Sequence, residues 1–141
     1  MALYNVFDVA GSAMSAQSLR LNLTASNLAN AETTASSPEE AYRARHPVFA
    51  AKLQQAQAGQ AETSNGVEVG VRGVVETDAP VQALHQPNSP LADENGYVYR
   101  SNVNPVEEMV NMISASRSYQ NSVEVMSTSR DLMLQTLRIG R

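Results

Sequence analysis

The sequence predicts a mainly α-helical protein with a small β part: a long helix at each end and a middle segment that is extended and carries two short strands. Three observations lead there. All six prolines fall between Pro38 and Pro105, and five of the seven glycines between Gly59 and Gly96, so the two ends are almost free of the residues that interrupt helices. Each end carries apolar residues in alternating steps of three and four. Between Asn65 and Asp78, valines alternate with charged residues and glycine. The resulting divisions are a helix within 1–35, a middle segment 36–103 and a helix within 104–141.

The first helix is expected over 2–33, about 45 Å long at 1.5 Å per residue. Leu3, Phe7, Ala10, Met14, Gln17, Leu21, Thr24 and Leu28 form its seam, and Val9, Leu19 and Leu23 widen the apolar surface. Only Asp8, Arg20 and Glu32 are charged between Met1 and Ala35. A helix with one face in water normally carries Glu, Lys and Arg there. Small uncharged residues nearly all round fit burial among several helices, in an assembly or equally in a small bundle. Asn27 and Asn30, three apart around Leu28 and Ala29, close this helix. Asn is a poor interior helix residue, so the pair reads either as a stop signal or as amides fixing register in a crowded wall.

The middle begins with "EAYRARHPVFAAKLQQAQ". His46 before Pro47 favours an extended start, and the Ala- and Gln-rich remainder predicts a short helix to about Gln57. Val67, Val69 and Val71 against Glu68, Gly70 and Arg72 predict a strand with one buried face. "APVQALHQPNSPLADENG", with three prolines, reads as loop. Asp93 to Gly96 reads as a tight turn before "GYVYRS", a second strand available to pair with the first.

The last helix opens with Asn104 as N-cap, Pro105 at the first helical position, and Glu107 and Glu108 facing the positive end of the dipole. Arg130, Arg138 and Arg141 lie towards the other end. Its seam runs Met109, Met112, Ser116, Tyr119, Val123, Met126, Arg130, Met133 and Leu137, with Ile113 and Leu134 widening it. Met fills irregular gaps between dissimilar neighbours.

Chemistry is sparse. Net charge is −4, from 10 basic and 14 acidic residues, which opposes a sequence-independent grip on nucleic acid. There is no cysteine, hence no disulfide or thiolate chemistry. His46 and His85 are too far apart in sequence to suggest a metal site. "DENG" lacks the ligand series and closing glutamate of a calcium loop. Gly66, Gly70 and Gly73 sit in a valine-alternating strand rather than a phosphate cradle. No serine lies in a nucleophile-elbow context. No cofactor, small-molecule substrate, catalytic residue or metal is expected. No apolar run approaches the roughly 18 residues of a membrane span. The N-terminus lacks the basic and continuous apolar regions of a secretory signal, so these features alone point to the cytoplasm.

"SAQSLRLNLTASNLANAET" resembles the N-terminal signature of the flagellar basal-body rod and hook proteins, in which an A-x-N-x-A-N core ends the first helix. Asn27, Leu28, Ala29 and Asn30 occupy that core. "NVNPVEEMVNMISASRSYQNSVEVMSTSRDLMLQTLRIGR" is similar to the C-terminal segment of the proximal-rod members of that family, and "GVEVGVRGVVETDAPV" and "ENGYVY" also fit. One departure is visible: a turn of Ser and Pro, rather than glycine, leads into Tyr42 and Arg43.

The resemblance implies a structural protein whose subunits stack helically into the rod that carries torque across the periplasm. It implies that the two terminal helices pair as an antiparallel coiled coil, with the middle segment outside. Implied partners are sister copies, other rod subunits, the proteins joining rotor ring to export gate, and the flagellar type III export apparatus. Export without a cleaved signal would replace the cytoplasmic address. Phe49 and Leu53 in "FAAKL" resemble an export-gate recognition pair. The terminal seams, Leu3, Phe7, Met14, Leu21 and Leu28 with Met109, Met112, Ile113, Tyr119, Val123, Met126, Met133 and Leu137, are the expected subunit interfaces. The competing reading is a soluble helical adaptor or chaperone that binds one partner helix.

Overall fold

The structure is a computed structural model that describes residues 2–53 and 67–139, with the backbone alone at 2–4 and 53. Two helices enclose the sequence: α1 over Ala2–Ala29 and α2 over Pro105–Ile139. Five strands lie between them, β1 Thr34–Ala35, β2 Arg45–Leu53, β3 Val67–Glu76, β4 Gln82–His85 and β5 Tyr97–Arg100. One sheet has the order β1-β5-β4 and is antiparallel throughout, with Ala35 opposite Tyr99 and Leu84 opposite Val98. The other is the two-stranded ribbon β2–β3.

The chain divides into two compact parts. The first comprises Met1–Leu19, Val48–Gly73 and Ser114–Arg141; the second comprises Arg20–Pro47 and Val74–Ile113. The second contains the three-stranded sheet and a small core in which Ala31, Ala44 and Val103 pack with Tyr42. Val98 of β5 is fully buried there. In the first part, Ser12 Oγ accepts a hydrogen bond from Val69 N at 3.2 Å and donates to Val9 O at 2.9 Å, tying α1 to β3.

The helix ends follow local chemistry. Asn30 Nδ2 donates to Ser26 O at 2.8 Å, a last-turn carbonyl that also accepts from Asn30 N at 3.1 Å. It does so without the left-handed backbone that a stop asparagine often adopts, since no described non-glycine residue has positive φ. At α2, Asn104 Oδ1 accepts from Val106 N at 3.1 Å and Glu107 N at 3.5 Å, the expected N-cap. Asp93 builds the expected turn: Oδ1 accepts from Asn95 N at 2.9 Å and Tyr97 N at 2.8 Å, and Gly96 sits at φ +79°.

Four expectations for the middle segment are corrected. The helix predicted after Pro47 is strand β2 as far as Leu53, because pairing with β3 overrides the helix propensity of Ala50, Ala51 and Lys52; residues 54–57 lie outside the described ones. β3 exists, but it has no buried face, and Val67, Val71, Val74 and Val75 are all exposed. The "GYVYRS" strand pairs with β1 and β4 rather than with β3. The proline-rich stretch read as loop contributes β4, because Pro80 and Pro87 flank Gln82–His85 without entering it.

Candidate subunit interface

The second part of the molecule is held together by asparagines. Asn27 is 0% exposed and makes four hydrogen bonds, the full capacity of its amide. Nδ2 donates to Arg45 O at 2.9 Å and Glu108 Oε2 at 3.0 Å, while Oδ1 accepts from Arg45 N and Tyr42 OH, each at 3.0 Å. The side chain therefore pairs with Arg45 as a neighbouring strand would. The bonds continue along α2. Asn111 Nδ2 donates to Glu108 Oε1 at 3.4 Å, and Arg20 Nη2 donates to Asn111 Oδ1 at 3.2 Å. Asn102 does similar work on the other side of Ala44. Its Oδ1 accepts from Ala44 N at 2.8 Å, and its Nδ2 donates to Thr77 O at 3.2 Å and Ala79 O at 2.8 Å. Thr77 N closes the set by donating to Ala44 O at 2.9 Å. All four backbone polar groups of Ala44 and Arg45 are thus taken.

The fully buried residues of both helices are small or polar. On α1 the buried positions are Ala10, Ala16, Thr24 and Asn27. On α2 they are Glu108, Ala115 and Ser129, and Met112, Tyr119, Ser122, Met126 and Met133 are half-buried. The α2 positions 108, 112, 115, 119, 122, 126, 129 and 133 alternate in steps of four and three. The heptad period read from the sequence is present, but every second position is displaced by one residue. Met109, Val123 and Leu137 of the expected subunit interface stand exposed, and Ile113 beside them is 57% exposed. On α1, Ala10 and Thr24 are buried as expected, whereas Phe7, Met14, Leu21 and Leu28 are half-buried; the side chain of Leu3 lies outside the described residues.

What α2 leaves outside is apolar. In the second part, Val106, Met109, Val110 and Ile113 recur at i, i+3, i+4 and i+7, one face of a helix. In the first part, Val123, Val125, Leu132, Leu134, Leu137 and Ile139 are exposed along the rest of α2, Leu137 at 70% and Ile139 at 84%. An exposed apolar face such as Val106–Ile113 marks an interaction site. The sequence period alone could not show which apolar residues face outward.

Charge plays a lesser part. The backbone N–H of Tyr97 holds the Asp93 carboxyl below its ordinary 3.8, helped by Asn95 N–H and the Tyr99 hydroxyl, with partial burial opposing them. The same Tyr99–Asp93 bond, 3.1 Å long, raises the Tyr99 hydroxyl above 10.0. Arg45 pairs with Glu76 at 3.0 Å with both side chains about half exposed, and Arg45 lies 5.8 Å from the Tyr42 ring centroid. Among the described residues no group of three or more His, Asp and Glu is placed to hold a metal ion. No described helix is long and apolar enough to cross a membrane.

Phe49 is partly exposed on β2, and Leu53 lies four residues along the same strand, not one helical turn away as expected. Asn102 was not singled out from the sequence. Its only signal is position, two residues before the helix cap in "SNVNP".

Residues 7–35 match the family model of flagella basal body rod proteins. Residues 94–139 match the model of the C-terminal region of flagellar basal body rod FlgEFG proteins. The chain is 48% identical over 141 residues to the flagellar basal-body rod protein FlgC of Salmonella typhimurium, covering 100% of both chains. Identity to the FlgC of Yersinia enterocolitica is also 48% over 100% of both. To that of Buchnera aphidicola from Acyrthosiphon pisum it is 40% over 99% of both. With its two terminal segments matched and whole-length relatives of one kind, the chain belongs to the flagellar basal-body rod protein family, in the group named FlgC.

Proposed function

We propose that the protein is a structural subunit of the proximal rod of the bacterial flagellar basal body, and that it polymerises helically through its terminal helices. The observation that carries this is the match to rod proteins along the entire chain. The exposed apolar face of α2 supports it, since helical filaments need non-closing contacts that a lone subunit leaves uncovered. The relatives are structural proteins, which accords with a chain lacking catalytic motifs.

In this reading the helices pair as an antiparallel coiled coil. Bonds from Arg20 to Asn111 and from Asn27 to Glu108 support that sense, because later α1 positions meet earlier α2 positions. The outward residues Met109, Ile113, Val123 and Leu137, with the half-buried Phe7, Met14, Leu21 and Leu28, meet neighbouring subunits. Torque passes from the rotor to the distal rod and hook through these contacts. The subunit leaves the cell through the flagellar type III apparatus without a cleaved signal and resides in the periplasm. Phe49 and Leu53, both within β2, are the recognition pair offered to the export gate. Rotor-ring and export-gate proteins flank it in the rod. The adaptor reading gains nothing from whole-length relatives that are rod proteins.

The test is complementation. Expressed in a Salmonella strain lacking its own FlgC, the chain should appear in purified basal bodies by mass spectrometry and restore swimming. Abundant soluble chain with none in basal bodies would favour the adaptor.

A further inference from the structure

We infer that the buried Asn27–Glu108 pair sets the axial register of α1 against α2 within the subunit. Asn27 is 0% exposed and Glu108 is 3% exposed, and among the described residues neither belongs to a metal cluster. Burying a carboxylate and an amide is costly unless every donor and acceptor is matched. Here they are matched in one arrangement. Glu108 Oε2 takes the second amide hydrogen of Asn27, at 3.0 Å, after the first is committed to Arg45 O. Glu108 Oε1 takes Asn111 Nδ2 at 3.4 Å, and Asn111 in turn accepts from Arg20 at 3.2 Å. A slip of α2 by one turn, about 5.4 Å, would part Asn27 from Glu108 and leave one amide hydrogen and Oε2 without each other.

Other buried positions cannot mark register in this way. Ala10, Ala16, Ala115 and Ser129 are small, and small residues exchange places in a slip at little cost. The large residues near the pair, Met109, Val110 and Ile113, face outward, and the half-buried Met112 is flexible enough to repack after a slip. A polar pair inside a helix seam trades stability for one alignment. That alignment sets the height at which the outward stripe Val106–Met109–Val110–Ile113 is presented.

The pair can be tested in the full-length chain, which has no native cysteine. Spin labels at Ala25→Cys and Val110→Cys, both exposed, report the distance between the helices by pulsed electron resonance. The expected result is one narrow distance in the otherwise unaltered chain and in Glu108→Gln, which keeps an acceptor for Asn27. Glu108→Leu, which removes the acceptor but fits an apolar seam, should keep its helix content and add a second distance displaced by about 5 or about 10 Å, one turn or one heptad. A single unshifted distance in Glu108→Leu would overturn the inference. Loss of helix content in Glu108→Leu would also overturn it, because the pair would then hold the fold rather than select an alignment. A broad distribution in the unaltered chain would overturn it as well.

Discussion

The two compact parts of the subunit contrast in how they are held. The part built from Arg20–Pro47 and Val74–Ile113 is laced by side-chain bonds far apart in sequence, from Asn27, Asn102, Tyr42 and Arg20, around a small core of Ala31, Ala44 and Val103. The part containing Val48–Gly73 and Ser114–Arg141 has the Ser12–Val69 bond, but it exposes Val67, Val71, Leu132, Leu134, Leu137 and Ile139. Polar lacing fixes one geometry without large apolar burial. Exposed apolar surface does the reverse, gaining stability only when something covers it. Both parts leave apolar surface of α2 for neighbours to cover, Val106–Ile113 in the laced part included, but only the laced part is also fixed by a network of its own polar bonds.

Substitutions can break this contrast, and the largest effect is expected on assembly. Ile113→Asp places an unpaired charge on the outward stripe. Because Ile113 is exposed in the lone subunit, its stability should change by no more than about 0.5 kcal/mol, while swimming is abolished with expression intact. Swimming at the unaltered rate would remove the stripe from the interface. Next is Asn102→Ala, which deletes three hydrogen bonds and leaves Ala44 N–H without its acceptor. Urea unfolding should register a loss of about 2–4 kcal/mol, and a loss below about 0.5 kcal/mol would show the lacing to be incidental.

How much of this was legible in the sequence depends on the residue. The helices were, because proline and glycine avoid both ends and Asn104 caps α2. Half of each seam was as well: Met112, Tyr119, Met126 and Met133 are at least partly inside, and Ala10 and Thr24 are buried. Which residues the lone subunit buries was less legible, because Met109 and Val123 look more like core than Glu108 and Ser122. That preference holds for a chain that buries its own apolar residues, and this one keeps many for other molecules. Strand β2 was hidden by helix-forming Ala50, Ala51 and Lys52, and β4 by flanking prolines. Asn27 drew attention as a misfit in a helix, but its partner Glu108 looked like an ordinary first-turn acid.

Two smaller effects sharpen the comparison within the laced part. Gly96→Ala forces a side chain into φ +79°, with its Cβ 3.1 Å from Pro87 Cβ, and should cost about 1–2 kcal/mol in urea unfolding. An unchanged midpoint would mean that the turn is not held as described. The smallest effect is that of pH. The Asp93 carboxyl is held below 3.8 in the folded chain, so its contribution is fully present above 3.8 and is lost as pH falls through the lowered folded value. The unfolding midpoint of Asp93→Asn should therefore fall less than that of the unaltered chain as pH drops through and below that range. Parallel declines would show the carboxylate to be uninvolved.

The most direct measurement of the central contrast is hydrogen exchange on the dilute full-length subunit. Amides of the laced part, Arg45 N, Thr77 N and Glu108 N among them, should exchange slowly, while α2 beyond Ser114 exchanges quickly until subunits assemble. Slow exchange continuing along α2 to Ile139 in a dilute monomer would contradict the account, because that surface would then need no neighbour.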